Sequence, residues 1–136
     1  MDKLFSTKVT ATGAREGRVK SADGVLDMEI HMPKQGQKQA YANPETFFAA
    51  GYAACFDGAL NLVMKNAGVK STSPTTVTAE VSLCKATEGF ELGVSLEIEI
   101  PGVDKAKAEE LAQQAHMVCP YSKATRNNID VQLKVK

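Results

Sequence analysis

The residues from Phe47 to Leu60 constrain this chain more than any other stretch. They read as a helix that is apolar almost all the way round, with Asp57 its only charge. A helix of that kind has to be covered on every side. Ala49, Ala50, Gly51, Ala53, Ala54, Gly58 and Ala59 would let another backbone approach closely. A chain of 136 residues suffices for one domain and hardly for two, so little material is left to wrap such a helix. We therefore expect a single domain over residues 1–136, with a second copy covering the helix in an intimate homodimer.

Local signals place the ends of that helix. Asn43-Pro44-Glu45 supplies an N-cap residue, a proline at the first helical position and an acid near the positive end of the dipole. Gly68 suits the position after its last residue, near Ala67. A second helix is predicted from about Val103 to Val118, with Asp104 near its start and Ala108, Leu111, Ala112, Ala115 and Val118 as its apolar stripe.

The remaining segments alternate with period two. Leu26 to Met32, Val77 to Leu83, Phe90 to Ile100 and Ile129 to Val135 read as half-buried strands. Residues 4–12 and 18–22 read as two more. Turns at Gly13–Gly17 and Ala22-Asp23-Gly24 link the first three strands into a meander, and Ala86–Gly89 closes a hairpin. The order is β-β-β-α-β-β-α-β, an α+β fold.

Composition excludes several classes. Sixteen basic side chains balance 16 acidic ones, which argues against an electrostatic nucleic-acid or membrane-surface protein. The longest nearly unbroken apolar run, Phe47–Phe56, is too short to span a bilayer, and residues 1–6 contain no apolar signal core. A cytoplasmic location is expected. The three cysteines, Cys55, Cys84 and Cys119, are too few and too odd in number for a secreted disulfide scaffold.

Metal and nucleotide chemistry find no support in the spacing. His31 and His116 are the only histidines, and no cysteine pair has zinc-finger spacing. There is no Walker loop and no Gly-x-Gly-x-x-Gly. Both histidines read as solvated. Cys55 reads either as a buried structural thiol or as a reactive one. Cys119, before Pro120, reads as a helix-boundary residue, and Cys84 falls on the polar side of its strand. A guanidinium beside a thiol favours the thiolate, and the chain has only Arg15, Arg18 and Arg126 to offer. Glu45 lies ten residues before Cys55. On a continuous helix that is about 15 Å of rise and a different face. Contact would need a kink near Gly51, or a geometry in which Glu45 holds an arginine that reaches the sulfur.

Asn43-Pro44-Glu45-Thr46-Phe47-Phe48-Ala49-Ala50-Gly51-Tyr52-Ala53-Ala54-Cys55-Phe56 resembles the first cysteine motif of the organic hydroperoxide resistance branch of the osmotically inducible protein C (OsmC) superfamily. Cys119-Pro120-Tyr121-Ser122-Lys123-Ala124-Thr125-Arg126, followed by Asn128-Ile129-Asp130-Val131, is similar to the second. Thr12-Gly13-Ala14-Arg15-Glu16-Gly17 resembles the turn that carries the family's active-site arginine. The resemblance runs in order along essentially the whole chain.

The resemblance implies a fold in which two sheets wrap a pair of central helices in a homodimer, with active sites at the subunit interface. It implies a thiol peroxidase that reduces organic hydroperoxides without metal, flavin or haem. Cys55 then corresponds to the peroxidatic cysteine and Cys119 to the resolving one, joined in a transient disulfide. Arg15 corresponds to the arginine that polarises thiolate and peroxide, and Glu45 to the carboxylate that orients it; Arg18 lies outside the motif and ranks second. The implied reductant is a dithiol, a dihydrolipoyl group on a lipoylated protein. Phe47, Phe48, Tyr52 and Phe56 are the apolar neighbours that would favour alkyl or lipid peroxides.

Some positions depart from the family pattern. Thr46-Phe47 stand where Gln-Leu is expected, Asn127 where Gly is expected, and the 34–42 segment is short. Two rival readings share the scaffold: a non-catalytic dimeric binding module with inert thiols, and a redox sensor that forms the disulfide but turns over slowly.

Overall fold

The structure, a computed structural model, describes all 136 residues, Met1 to Lys136. They form two compact units, Met1–Phe47 and Phe48–Lys136.

In the first unit β1 (Val9–Thr12), β2 (Arg18–Ser21) and β3 (Asp27–Glu29) make an antiparallel meander. The two predicted turns join them, the second through Gly24 at φ 77°. β1 and β3 are shorter than their alternation predicts. After Glu29 the chain leaves the ladder. Ile30 makes a single parallel bridge to Ala42, and His31 N–H donates to Ala42 O at 3.0 Å. Only Ser21, Ile30 and Asn43 are buried here, and Val9 and Met28 are exposed.

The first helix, α1 (Pro44–Ala67), has 24 residues and the predicted ends. Asn43 Oδ1 accepts from Thr46 N–H at 3.0 Å, while Thr46 Oγ1 accepts from Asn43 N–H at 3.1 Å. Thr46 thus completes a reciprocal capping box. Gly68 at φ 70° ends the helix, and Val69 N–H returns to Met64 O at 2.9 Å. The whole helix, unlike its ten-residue apolar run, is long and apolar enough to cross a membrane. Core helices of soluble proteins meet the same criterion.

In the second unit α1 packs with α2 (Lys105–Val118) and the second sheet. Asp104 caps α2 by accepting from Lys107 N–H at 2.9 Å. The buried core joins Tyr52, Phe56, Leu60 and Met64 of α1 to Leu111 and Ala115 of α2 and to Val94, Leu96 and Ile98. Those last three lie on β5 (Gly89–Glu99), which pairs antiparallel with β4 (Thr76–Ala86) through a two-residue turn. The opposite face of α1 stays open. Ala50, Ala54, Gly58 and Leu62, spaced by four, are all exposed.

The second unit departs from expectation in four places. β6 (Val131–Val135) runs parallel to β5, a direction that alternation alone does not encode. Phe90, predicted on the core face of β5, is 71% exposed near the hairpin tip. Val118 falls off the buried stripe of α2 and is exposed. A short extra helix, α3 (Pro120–Thr125), follows α2.

Candidate active site

Pro120 creates the break that holds Cys119. A residue before proline is driven out of the α region, and Cys119 adopts φ −58°, ψ 123°. That stops α2 at Val118, and Pro120 opens α3 as its first residue. Cys119 stays tied to both helices: its N–H donates to Ala115 O at 2.8 Å, and its carbonyl accepts from Lys123 N–H at 3.0 Å.

The break brings Cys119 against Cys55 of α1, Sγ to Sγ 3.6 Å, with both thiols free. A disulfide closes at about 2.05 Å, so roughly 1.5 Å remains to be covered. Cys55 is half-buried and Cys119 fully buried. Burial pushes the Cys55 thiol above its ordinary range; the Tyr121 backbone N–H opposes the shift, and the Cys119 thiol adds to it. Cys84 is exposed on β4, opposite Glu91.

A buried polar cluster lies beside this pair. Ser122 Oγ is 2.9 Å from Tyr52 OH and 2.7 Å from His116 Nδ1. Thr125 Oγ1 is 3.2 Å from Tyr52 OH and donates to Ser122 O. Arg126 Nη2 donates to His116 O at 2.7 Å, at the end of α2. His116 is therefore half-buried and hydrogen-bonded, not solvated as its place off the apolar stripe predicted. Burial, then Arg126, lowers its pKa. Tyr52 and Phe56 have no exposed surface and belong to the core, so neither lines an open pocket. Sequence reasoning missed Ser122, Thr125 and the role of Tyr52. One signal was present: Tyr52 is the only hydroxyl in the apolar stretch, and a buried tyrosine needs a polar partner.

The first unit holds the predicted charged pair. Arg15 lies on a 3-10 turn (Ala14–Glu16) whose entry, Gly13 and Ala14, is left-handed at φ 81° and 54°. The turn closes on Gly17, where a Cβ would fall 1.8 Å from Thr12 O. Arg15 grips Glu45 with two hydrogen bonds of 3.0 Å each. The pairing raises the Arg15 pKa and lowers that of Glu45. Arg15 Nη1 also lies 3.5 Å from Met32 Sδ. Arg18 pairs instead with Asp27, Nε to Oδ1 2.6 Å, on the surface.

His31, predicted to be solvated, stands between two carboxylates. Its Nδ1 is 2.9 Å from Glu16 and its Nε2 3.2 Å from Glu29. Hydrogen bonds to Glu16, then Glu29, raise its pKa. Glu29 is two residues away on the same predicted strand, where alternation places it on the same face, but Glu16 comes from the turn before β2, which periodicity does not reveal.

A family model described as OsmC-like protein matches residues 35–134. The chain is 48% identical over 136 residues to the organic hydroperoxide resistance protein OhrB of Bacillus subtilis (strain 168), covering 98% of each. It is 50% identical over 137 residues to OhrA of the same organism, covering 97% of this chain and 96% of that one. Its fold is similar to that of an organic hydroperoxide resistance protein from Elizabethkingia anophelis, with TM-score 0.92 and 52% identity. That match covers 100% of this chain and 99% of the other.

Proposed function

Because the chain belongs to the OsmC-like protein family and resembles organic hydroperoxide resistance proteins along its length, we infer that it serves in organic hydroperoxide resistance, as a cysteine-based peroxidase. The observation that carries the chemical reading is the 3.6 Å separation of two free thiols, Cys55 and Cys119, from motifs 64 residues apart.

The reaction runs in three balanced steps. Cys55, as thiolate, attacks the distal oxygen of the hydroperoxide; the O–O bond breaks, the alcohol leaves with a proton, and Cys55 becomes a sulfenic acid. Cys119 attacks that sulfur, the S–S bond forms and the oxygen leaves as water. A dithiol, a dihydrolipoyl group on a lipoylated protein, then reduces the disulfide by exchange. Burial works against the Cys55 thiolate, so the first step requires a cation. Arg15 is assigned that role and Glu45 the role of orienting it; the bidentate geometry of the pair suits a fixed guanidinium.

The working unit is a cytoplasmic homodimer. Two features favour it: the open Ala50–Ala54–Gly58–Leu62 face of α1, and a first unit with almost no buried apolar side chain. An apolar helix face left in water is a standing cost that a second copy removes.

Single-turnover oxidation tests the reading. Reduced protein, with its three thiols, is mixed with one equivalent of tert-butyl or cumene hydroperoxide, and the remaining thiols are counted. Rapid loss of two thiols, absent in Cys55→Ser, is expected. Loss no faster than that of glutathione means the cysteines are structural and the chain is a binding module. Fast loss with slow recycling by every dithiol means a redox sensor.

A further inference from the structure

Cys119 sits at the junction of α2 and α3, where Pro120 interrupts the helical path. α3 has six residues, too few to be stable by itself, and Pro120 separates it from α2. Side chains must set its orientation. Three of them converge at matched offsets from the two cysteines: Tyr52 is three residues before Cys55, His116 three before Cys119, and Ser122 three after Cys119. Ser122 Oγ touches both of the others, at 2.9 and 2.7 Å, and so ties α1, α2 and α3 together at one atom.

The three hydroxyls join in one directed chain of hydrogen bonds. Thr125 donates to Ser122 O, which leaves its oxygen to accept from Tyr52 OH. The Tyr52 oxygen then accepts from the Ser122 hydroxyl, and Ser122 Oγ accepts from His116 Nδ1–H. This direction follows from letting each hydroxyl donate once and accept once. Ser122 and Tyr52 have no exposed surface and Thr125 has 4%, so water cannot replace a missing member. A second contact adds to the hold. The Tyr121 ring lies against Gly51, where a Cβ would come within 2.7 Å of Tyr121 OH.

We propose that Ser122, pinned by Tyr52 and His116, is a positioning residue for disulfide formation: it keeps the Cys119 sulfur within reach of Cys55, so that a Cys55 sulfenic acid is resolved before a second peroxide arrives. The proposal rests on the reading of Cys55 and Cys119 as a peroxidatic and resolving pair. The step it governs needs no outside oxidant. The S–O bond of the sulfenic acid breaks as the S–S bond forms, and the oxygen leaves as water with the Cys119 proton. Ser122 Oγ is hydrogen-bonded to Tyr52 and His116 and to neither sulfur; it acts through the turn that presents Cys119.

The test separates attack from resolution. Full-length wild type, Ser122→Ala, Ser122→Thr and Tyr52→Phe are reduced and mixed with cumene hydroperoxide. Samples are quenched over time with dimedone and with an alkylating agent, and Cys55 is followed by mass spectrometry as thiol, sulfenic adduct, disulfide and sulfinic acid. Ser122→Ala and Tyr52→Phe are expected to lose the Cys55 thiol within about twofold of the wild-type rate but to form the disulfide about tenfold more slowly. Sulfenic adduct then accumulates, and excess peroxide drives Cys55 on to sulfinic acid. Ser122→Thr, which keeps the hydroxyl, is expected to restore the disulfide. Tyr52→Phe removes one oxygen and carries the test if Ser122→Ala does not fold.

Disulfide formation at the wild-type rate in the folded variants overturns the proposal. So does equal slowing of both steps, the signature of a general loss of structure. If wild type itself loses no Cys55 thiol rapidly, the peroxidase reading fails instead, and the two failures are distinct.

Discussion

Arg15 and Glu45 meet in a bidentate ion pair, with Nη1 and Nη2 each 3.0 Å from a different carboxylate oxygen. Glu45 is nearly enclosed, its side chain 14% exposed, while Arg15 keeps 41%. The carboxylate is thus the fixed partner, set in the first turn of α1 by the Asn43–Thr46 capping box. The guanidinium is the part that remains available.

That geometry predicts the cost of altering either partner. Lysine cannot reproduce two parallel N–H bonds, so Arg15→Lys is not a conservative change. Arg15→Lys and Glu45→Gln are each expected to slow Cys55 oxidation by about tenfold or more. The melting temperature should move little, because an ion pair whose arginine is still partly solvated adds only about 1 kcal/mol or less. Rapid-quench thiol counting and a thermal melt check both halves. A normal oxidation rate in both variants removes Arg15 from the mechanism.

Gly17 tests the turn itself. A Cβ there would fall 1.8 Å from Thr12 O, so Gly17→Ala must shift backbone, and with it the strained Gly13-Ala14 entry to Arg15. Slower peroxide reduction is expected while the Cys55–Cys119 disulfide still forms under diamide. Failure of that disulfide as well would mean that the damage reaches the second unit.

The two histidines should titrate on opposite sides of the ordinary value near 6.5. Hydrogen bonds from Glu16 and Glu29 raise His31. Burial and the Arg126 charge lower His116. The signs for stability follow by linkage. The His31 contribution is complete below about pH 6.5 and is lost as pH rises through its raised folded pKa. For His116 the protein loses stability as pH falls below about 6.5 and on through the lowered folded pKa, because the unfolded chain takes up the proton first. Imidazole resonances followed against pH, assigned with His31→Asn and His116→Asn, give both directions. Coincident titrations would contradict the two environments.

Two leucines separate core from interface. Leu111 has no exposed surface, and Leu111→Ala should cost about 2–5 kcal/mol in denaturant unfolding. Leu62 is 50% exposed on the open stripe of α1. In a monomer Leu62→Ala should be nearly neutral, within about 0.5 kcal/mol. In the proposed dimer, Ala54→Arg on the same stripe should halve the mass seen by light scattering at micromolar concentration. An unchanged monomer mass for wild type refutes the homodimer.

Much of this architecture is written locally in the chain. Asn43-Pro44 and Gly68 bound α1, Asp104 starts α2, and Gly24 and Gly89 turn the strands. Each acts through backbone constraints within a few residues, so each can be read before any contact is known. Arg15, Glu45, Cys55 and Cys119 stand out for another reason, motifs that are distinctive as strings; the structure pairs Arg15 with Glu45 and Cys55 with Cys119, and their roles in catalysis are the proposal made above.

Other features depend on which residue stands opposite. β6 runs parallel to β5 because the chain crosses over through α2 and α3, and an alternating apolar pattern is the same in either direction. α3 turns polar side chains inward because Tyr52, 70 residues earlier, offers its hydroxyl there. His31 has one carboxylate partner, Glu29, on its own predicted strand and a second, Glu16, that only the packed turn brings to it. Helix caps and turns are short-range steric and hydrogen-bonding effects, carried by the order of residues. A buried hydroxyl network or a 3.6 Å thiol pair is a long-range coincidence of position, and it exists only once the chain has packed.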